Sequence, residues 1–198
     1  MIEIKTNKIK LDAFYTIASY PFHSEIKDDL LHLISEQPST SVKQVDSYYK
    51  DIISKYDFDQ CNDWSRPWVN YFAPRIKPFC DATINSIGYK QCSITSMWFQ
   101  QYSVGNTHGW HVHDATFSCV YFLEMSDNCG TELINPFNQN DKLVLDVKEG
   151  DLLMIPSFVI HRSPVNKNRK TSLAFNIVVD VINDDIINNL RKYDAVDN

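Results

Sequence analysis

Several features that would place this chain at a membrane or on nucleic acid are missing from its sequence. No apolar run approaches the length needed to cross a bilayer, and Met1 is followed by Ile-Glu-Ile-Lys rather than by a secretory signal. Acidic residues outnumber basic ones by 25 to 19, so a formal net charge of −6 disfavours nucleic-acid binding by bulk charge. We therefore expect neither a membrane nor a nucleic acid as a partner.

Paired-cysteine motifs, internal repeats, low-complexity tracts and linkers are missing as well. The five cysteines are an odd number without Cys-x-x-Cys spacing, which favours reduced thiols and a cytoplasmic location. A length of 198 residues with 43% hydrophobic residues suits one domain with a substantial core. We predict a single domain over residues 1–198.

The first ninety residues predict a helix-rich region. Residues 2–11 alternate well enough to form an edge strand, and residues 24–36 predict a helix with Ser24 as its N-cap. Residues 42–56 are interpreted as a second helix, although they contain charged and β-branched residues. A third helix begins at Pro67 and extends to about residue 88. These helices are expected to support a sheet formed by the rest of the chain.

From residue 91 the apolar period changes to two. One strand face then carries Ile94, Ser96, Trp98, Gln100 and Tyr102. Further apolar runs follow at intervals of about 10 to 15 residues with turn signals between them, which is typical of a β-barrel or sandwich. The predicted fold is α+β and mainly β, with a barrel core over residues 91–182 supported by residues 1–90.

Three histidines in the β-rich half form a candidate metal site. His111 and His113 are two residues apart, so on a strand they would point to one face and bind one ion together. His161 ends a later apolar run, and a closed sheet could bring it to the same point. Three imidazoles would leave coordination positions open for substrate and for oxygen or water. Asp114 could add a carboxylate if the strand ends or bulges at His113.

The order and spacing of these motifs resemble the double-stranded β-helix (jelly-roll or cupin-like barrel) of the iron(II)- and 2-oxoglutarate-dependent oxygenases. The likeness is greatest to small bacterial or phage-type members with a His-x-His motif. The matching segments are residues 98–102, 111–113, 120–123, 130–136, 150–161 and 172–176. The superfamily usually has Asp or Glu where His113 stands. Imidazole in that place removes one negative charge from the ligand set, which should weaken the binding of a dication.

The resemblance implies Fe(II) as the metal and 2-oxoglutarate as a co-substrate. The implied activity is that of a dioxygenase that hydroxylates a small-molecule or peptide substrate and releases succinate and CO2. The metal ligands would be His111, His113 and His161. We expect Asn106, His108 and Trp110, which precede the metal-binding segment, to lie at the mouth of the site.

The far carboxylate of 2-oxoglutarate would need a cation deep in the barrel. Arg169 and Lys170 are adjacent on the last predicted strand, and Lys170 shares a small, polar face with Ser172 and Asn176. The basic residue of the family also falls on Lys170, so we favour it, although Arg169 would make the better bidentate clamp. Tyr102 could donate its hydroxyl to the same carboxylate.

Three other functions fit parts of the pattern. A cupin has the same barrel, but the glutamate expected after its second histidine is missing here, and a cupin-type three-histidine metalloenzyme would not use 2-oxoglutarate. A zinc hydrolase or lyase would also suit three histidines, with Asp114 or Glu132 as the candidate general base. A non-catalytic metal-binding barrel is the third alternative.

Overall fold

A computed structural model of the chain describes residues 13–45, 50–126, 129–135 and 138–182. The edge strand predicted over residues 2–11 lies outside them. Within these ranges the elements follow in this order: β1 (Thr16–Ser19), α1 (His23–Glu36), β2 (Thr40–Val45), β3 (Lys50–Tyr56), a 3-10 helix (Phe58–Gln60), α2 (Pro67–Ser86), β4 (Tyr89–Tyr102), β5 (His108–His111), β6 (Phe117–Met125), β7 (Glu132–Asn135), β8 (Asn138–Val144), β9 (Asp151–Pro156), β10 (Ile160–Ser163) and β11 (Lys170–Ile182).

Two antiparallel sheets form the core. The larger has the strand order β1-β9-β6-β11-β4-β3-β2, and the smaller has the order β5-β10-β7-β8. From β4 onward successive strands pass from one sheet to the other, except in the β7–β8 hairpin, as in a double-stranded β-helix. The expected α+β, mainly β class and the barrel core are therefore confirmed.

The two helices cover the large sheet. The apolar stripe of α1 is buried at Ile26, Leu30 and Ile34, and α2 buries Trp68 and Phe72 against the same core. Pro67 stands at the start of α2 as expected. Among the described residues, no helix is both long and apolar enough to span a bilayer.

The predicted N-cap of α1 is wrong. The helix begins at His23, one residue before Ser24, and Phe22 occupies the N-cap without a side-chain cap hydrogen bond. The turn at residues 20–22 starts the helix instead, because the His23 N–H donates to the Tyr20 carbonyl at 3.3 Å.

The helix predicted over residues 42–56 is also wrong. This stretch forms the antiparallel strands β2 and β3, with residues 46–49 between them outside the described ranges. β-Branched residues favour a pleated strand, and pairing of β3 with the end of β4 adds the hairpin to the large sheet. Residues before 91 therefore contribute strands as well as helices, and the single-domain organisation stays a prediction.

A buried ion pair ties α2 to the sheet. The Arg66 guanidinium donates to the Asp57 carboxylate at 2.6 Å and to the Met97 carbonyl at 2.6 Å. The same carboxylate accepts the Trp68 indole N–H and the Phe99 backbone N–H, at 2.9 and 2.8 Å. The start of α2 is thereby fixed against β4.

Replacement of Asp57 by Ala should destabilise the fold by about 3 to 5 kcal/mol, because the Arg66 charge would remain buried without its partner. Chemical denaturation measures the free energy of unfolding. The control is Lys77→Ala, which breaks the partly exposed pair between Lys77 and Asp81 and should cost less than about 1 kcal/mol. Equal losses in the two variants would contradict the role given to Asp57.

Candidate metal centre

Strand pairing brings the three histidines together. β10 lies between β5 and β7, and its His161 is in register with His111 on β5. His113 follows the end of β5, where its backbone N–H donates to the Ser157 carbonyl at 3.0 Å. One ligand nitrogen from each of the three histidines can be chosen so that all lie within 4.8 Å of one another. The group could therefore hold a metal ion.

Backbone carbonyls orient two of the imidazoles. Nδ1 of His111 lies 2.7 Å from the Gly109 carbonyl, and Nδ1 of His161 lies 2.9 Å from the Val159 carbonyl. A carbonyl only accepts, so each Nδ1 carries the proton and each Nε2 keeps a lone pair for a metal.

The third imidazole is held by stacking. The His113 ring stacks with the Trp98 ring, at 5.7 Å and 16°, and with the His161 ring, at 5.1 Å and 15°. Its Nε2 is buried and has no hydrogen-bond partner among the described residues. A buried imidazole nitrogen without a partner is costly unless a ligand completes it, so this atom also fits a metal site.

Burial keeps these imidazoles neutral, as metal ligation requires. Loss of solvation, together with the neighbouring His111, lowers the pKa of His161 to about 3 and that of His113 to about 4. The pKa of His111 is lowered mainly by the same burial. Asp114 is exposed and does not belong to the group, so the ligand set within reach is three imidazoles without a carboxylate.

A buried cation lies further along the same pocket. Lys170 is in register with Tyr102 and is 3% exposed. Its ammonium donates to the Ser163 hydroxyl at 2.6 Å and to the Cys129 carbonyl at 3.1 Å, and it lies 4.8 Å from the centre of the Tyr102 ring. Arg169 points outward and pairs with Glu124 at 3.0 Å. The lysine, the first residue of β11, thus lies inside, and the arginine just before the strand lies outside.

Lys170 has no carboxylate partner among the described residues. Burial lowers the pKa of its ammonium to about 8. The Tyr102 hydroxyl donates to the Gln100 side chain at 2.7 Å, and burial raises the pKa of this tyrosine, which therefore stays neutral. A buried ammonium without a counter-ion is an unfavourable arrangement that an anionic ligand would relieve.

The three histidines and Lys170 line one pocket of about 440 Å³, counted with its open mouth. No aspartate or glutamate is among the described residues that line it. Glu132 is instead paired with Arg162 and Lys142, at 2.6 and 3.1 Å. Of the three residues expected at the mouth, His108 lines the pocket, whereas Asn106 and Trp110 do not.

Several solved structures share this architecture. The fold is that of the 2-oxoglutarate- and iron(II)-dependent oxygenases. An oxidoreductase of that family from Burkholderia pseudomallei is 15% identical, with a TM-score of 0.63 over 85% of this chain and 86% of its own. A Trichoplax adhaerens prolyl hydroxylase, solved with a hypoxia-inducible-factor peptide fragment, is 14% identical, with a TM-score of 0.59 over 83% of each chain.

A prolyl 4-hydroxylase from Pseudomonas putida is 12% identical, with a TM-score of 0.59 over 85% of this chain and 94% of its own. No protein-family model matches the sequence, and no curated protein matches it either. The oxygenase fold is thus shared, but the sequence identities are too low to assign the substrates of these proteins to this chain.

The sequence reasoning missed two side chains at this site. Ser163, which bonds Lys170, is two residues after His161 on the same strand, so alternation would have found it. Asp51 accepts the Gly109 N–H at 2.7 Å beside the histidine group. Asp51 falls in residues 42–56, which the sequence analysis interprets as a helix, so its place on a strand beside Gly109 was not predicted.

Replacement of His161 by Ala should weaken metal binding by more than about 100-fold, since loss of a mere supporting contact costs about 10- to 100-fold. Anaerobic titration with Fe(II) or Co(II) measures the affinity. His32→Ala removes an exposed imidazole on α1 and is the matched control, for which wild-type affinity is expected. Wild-type metal affinity in His161→Ala would exclude His161 as a ligand.

Proposed function

We propose that the protein is an Fe(II)- and 2-oxoglutarate-dependent dioxygenase that hydroxylates a small-molecule or peptide substrate and releases succinate and CO2. The observation that carries this proposal is one pocket containing three neutral imidazoles and a buried ammonium that has no carboxylate partner among the described residues. His111, His113 and His161 are the proposed metal ligands. Lys170 is the proposed anchor of 2-oxoglutarate, with Tyr102 beside it.

The spacing of the two groups suits a short dicarboxylate. Ser163 holds the Lys170 ammonium and lies two residues beyond His161, which is about 7 Å along a strand. A five-carbon diacid is of this length. Its 2-oxo acid end would meet the metal while its far carboxylate meets Lys170 and Ser163.

Each part of the pocket has a defined task in this reaction. Iron bound by the three histidines would supply the activation of oxygen. The Lys170 ammonium neutralises the far carboxylate and so fixes the orientation of 2-oxoglutarate. Val120 and Phe122 line the pocket with apolar surface, which limits the entry of water. The protein thereby positions the reactants and restricts side reactions.

The proposed substrate is a small molecule or a peptide. The Trichoplax prolyl hydroxylase was solved with a peptide fragment, which supports a peptide as one of these two classes. Two of the structural neighbours are prolyl hydroxylases, which supports hydroxylation as the reaction.

A cytoplasmic location is part of the same proposal. All five cysteines are free thiols, and four of them are buried. Unpaired cysteines in this number are typical of a reducing compartment.

A cupin-type three-histidine metalloenzyme is the second candidate. The specific observation in its favour is the lack of a carboxylate within the metal-binding group, since Asp114 is exposed. Such an enzyme would give no role to the buried Lys170. A zinc hydrolase is less well supported, because Asp114 and Glu132 are both absent from the described pocket lining.

Anaerobic addition of 2-oxoglutarate to the Fe(II)-loaded protein should produce a visible metal-to-ligand charge-transfer band. Lys170→Ala should weaken this binding by about 10- to 100-fold, since a hydrogen bond to a charged group contributes about 1.5 to 3 kcal/mol. Arg169→Ala removes the adjacent, exposed cation and should leave the titration unchanged. Iron binding without any band in the wild type would favour the cupin-type alternative.

The affinity for 2-oxoglutarate should fall as the pH rises above about 8. Burial holds the pKa of free Lys170 at about 8, and only the ammonium form attracts the carboxylate. A bound carboxylate raises that pKa, so the dissociation constant should rise by up to about tenfold per pH unit between the two values. Band titrations from pH 7 to 9 measure the effect.

Lys170→Arg is the control for this pH dependence, because arginine keeps its charge throughout the range. The dissociation constant of this variant should be flat with pH. An equally steep rise in Lys170→Arg would assign the titration to another group.

A further inference from the structure

The proposed metal site lacks the negative charge that a dication usually meets in its ligand set. All three ligands are neutral imidazoles, and no described residue lining the pocket is an aspartate or glutamate. Asp51 on β3 is a carboxylate that hydrogen bonds connect to the group. It is 7% exposed, although it lies on a strand near the sheet edge.

Two short hydrogen bonds connect Asp51 to His111. Oδ1 of Asp51 accepts the Gly109 N–H at 2.7 Å, and the Gly109 carbonyl accepts the proton on Nδ1 of His111 at 2.7 Å. The Asp51 carboxylate therefore holds Gly109 in place, and Gly109 in turn orients the His111 imidazole. Partners of this kind are known to orient metal-binding histidines and to increase their basicity.

A second connection runs through His108. Its Nε2 lies 3.8 Å from Oδ1 of Asp51, and its ring stacks on the His111 ring at 4.1 Å and 26°. Nδ1 of His108 lies 3.2 Å from the Gln100 amide nitrogen. Because the Gln100 oxygen accepts from Tyr102, this amide donates to Nδ1, and the His108 proton is on Nε2, facing the carboxylate.

We propose that Asp51 is a positioning residue that lies outside the ligand set and supplies, through Gly109 and His108, the negative charge that a His-x-His site lacks. The inference rests on the proposed metal site and deepens it. β3 thus contributes to metal binding as well as to the sheet. A β-bridge between its Ile52 and Thr107, the residue just before β5, holds Asp51 beside the metal-binding segment.

Metal affinity tests this role in the whole chain. Asp51→Asn keeps an acceptor for the Gly109 N–H but removes the charge, and it should weaken Fe(II) binding in anaerobic competition titrations by about tenfold. Asp51→Ala removes both and should weaken binding by up to about 100-fold. Asp114→Asn removes an equal charge from the exposed neighbour of His113 and should change the affinity by less than about twofold.

The midpoint potential of the bound iron distinguishes an effect of the Asp51 charge from an effect of the side chain's shape. A nearby negative charge stabilises Fe(III) more than Fe(II), so Asp51→Asn should raise the potential, whereas Asp114→Asn should not. Wild-type affinity and potential in Asp51→Asn would overturn the inference. A wild-type protein that binds no Fe(II) would instead overturn the proposed function and the inference with it.

A measurement on the unsubstituted protein covers the case in which the Asp51 variants fail to fold. Nitrogen-15 NMR of the histidines should find His111 protonated at Nδ1, with that proton protected from exchange by the Gly109 carbonyl. His111 protonated at Nε2 instead would contradict the hydrogen-bonded connection on which the inference depends.

Discussion

The site depends on the antiparallel register of two short stretches of strand. On the large sheet, β11 pairs with β4 so that Lys170 faces Tyr102 and Ser172 faces Gln100. On the small sheet, β10 pairs with β5 so that His161 faces His111. A slip of one residue in either pair would turn these side chains out of the barrel. The helices and the Asp57–Arg66 ion pair matter to the site because they keep the large sheet in place.

Electrostatics give this pocket its character. The protein has a net charge of −6, yet the described lining of the pocket contains basic side chains and no acidic ones. A buried imidazole nitrogen without a partner has a cost, and a buried ammonium costs much more unless an anion joins it. The apoprotein therefore contains an unfavourable arrangement that a metal and a dicarboxylate would jointly relieve. The free energy released when an anion binds would offset the cost of burying the charge of Lys170.

Regular strands made the site partly predictable, and long-range pairing limited the prediction. Alternation predicts that Lys170 shares a face with Ser172 and Asn176, and the pairing of β11 with β4 is regular from residue 170 to 176. His113 is different, since β5 ends at His111 and the Ser157 carbonyl holds the following segment in place. Its arrival beside His161 follows from a contact between distant parts of the chain rather than from the period of a strand.

The errors in the front half have the same physical origin. Residues 42–56 carry a mixed local pattern, and pairing of β3 with β4 decides in favour of strands. With β3 unrecognised, Asp51 could not be placed beside Gly109. Ser24 is a good N-cap residue by type, but the preceding turn places the N-cap of α1 two residues earlier, at Phe22.

We propose that one pocket binds a metal through three histidines and a dicarboxylate through Lys170. A crystal structure of the protein grown anaerobically with Mn(II) and 2-oxoglutarate would show both ligands at once. We expect the metal on His111, His113 and His161, the 2-oxo acid end on the metal, and the far carboxylate within hydrogen-bond distance of the Lys170 ammonium. A metal held by other residues, or 2-oxoglutarate absent while Lys170 still bonds only Ser163 and Cys129, would contradict the account.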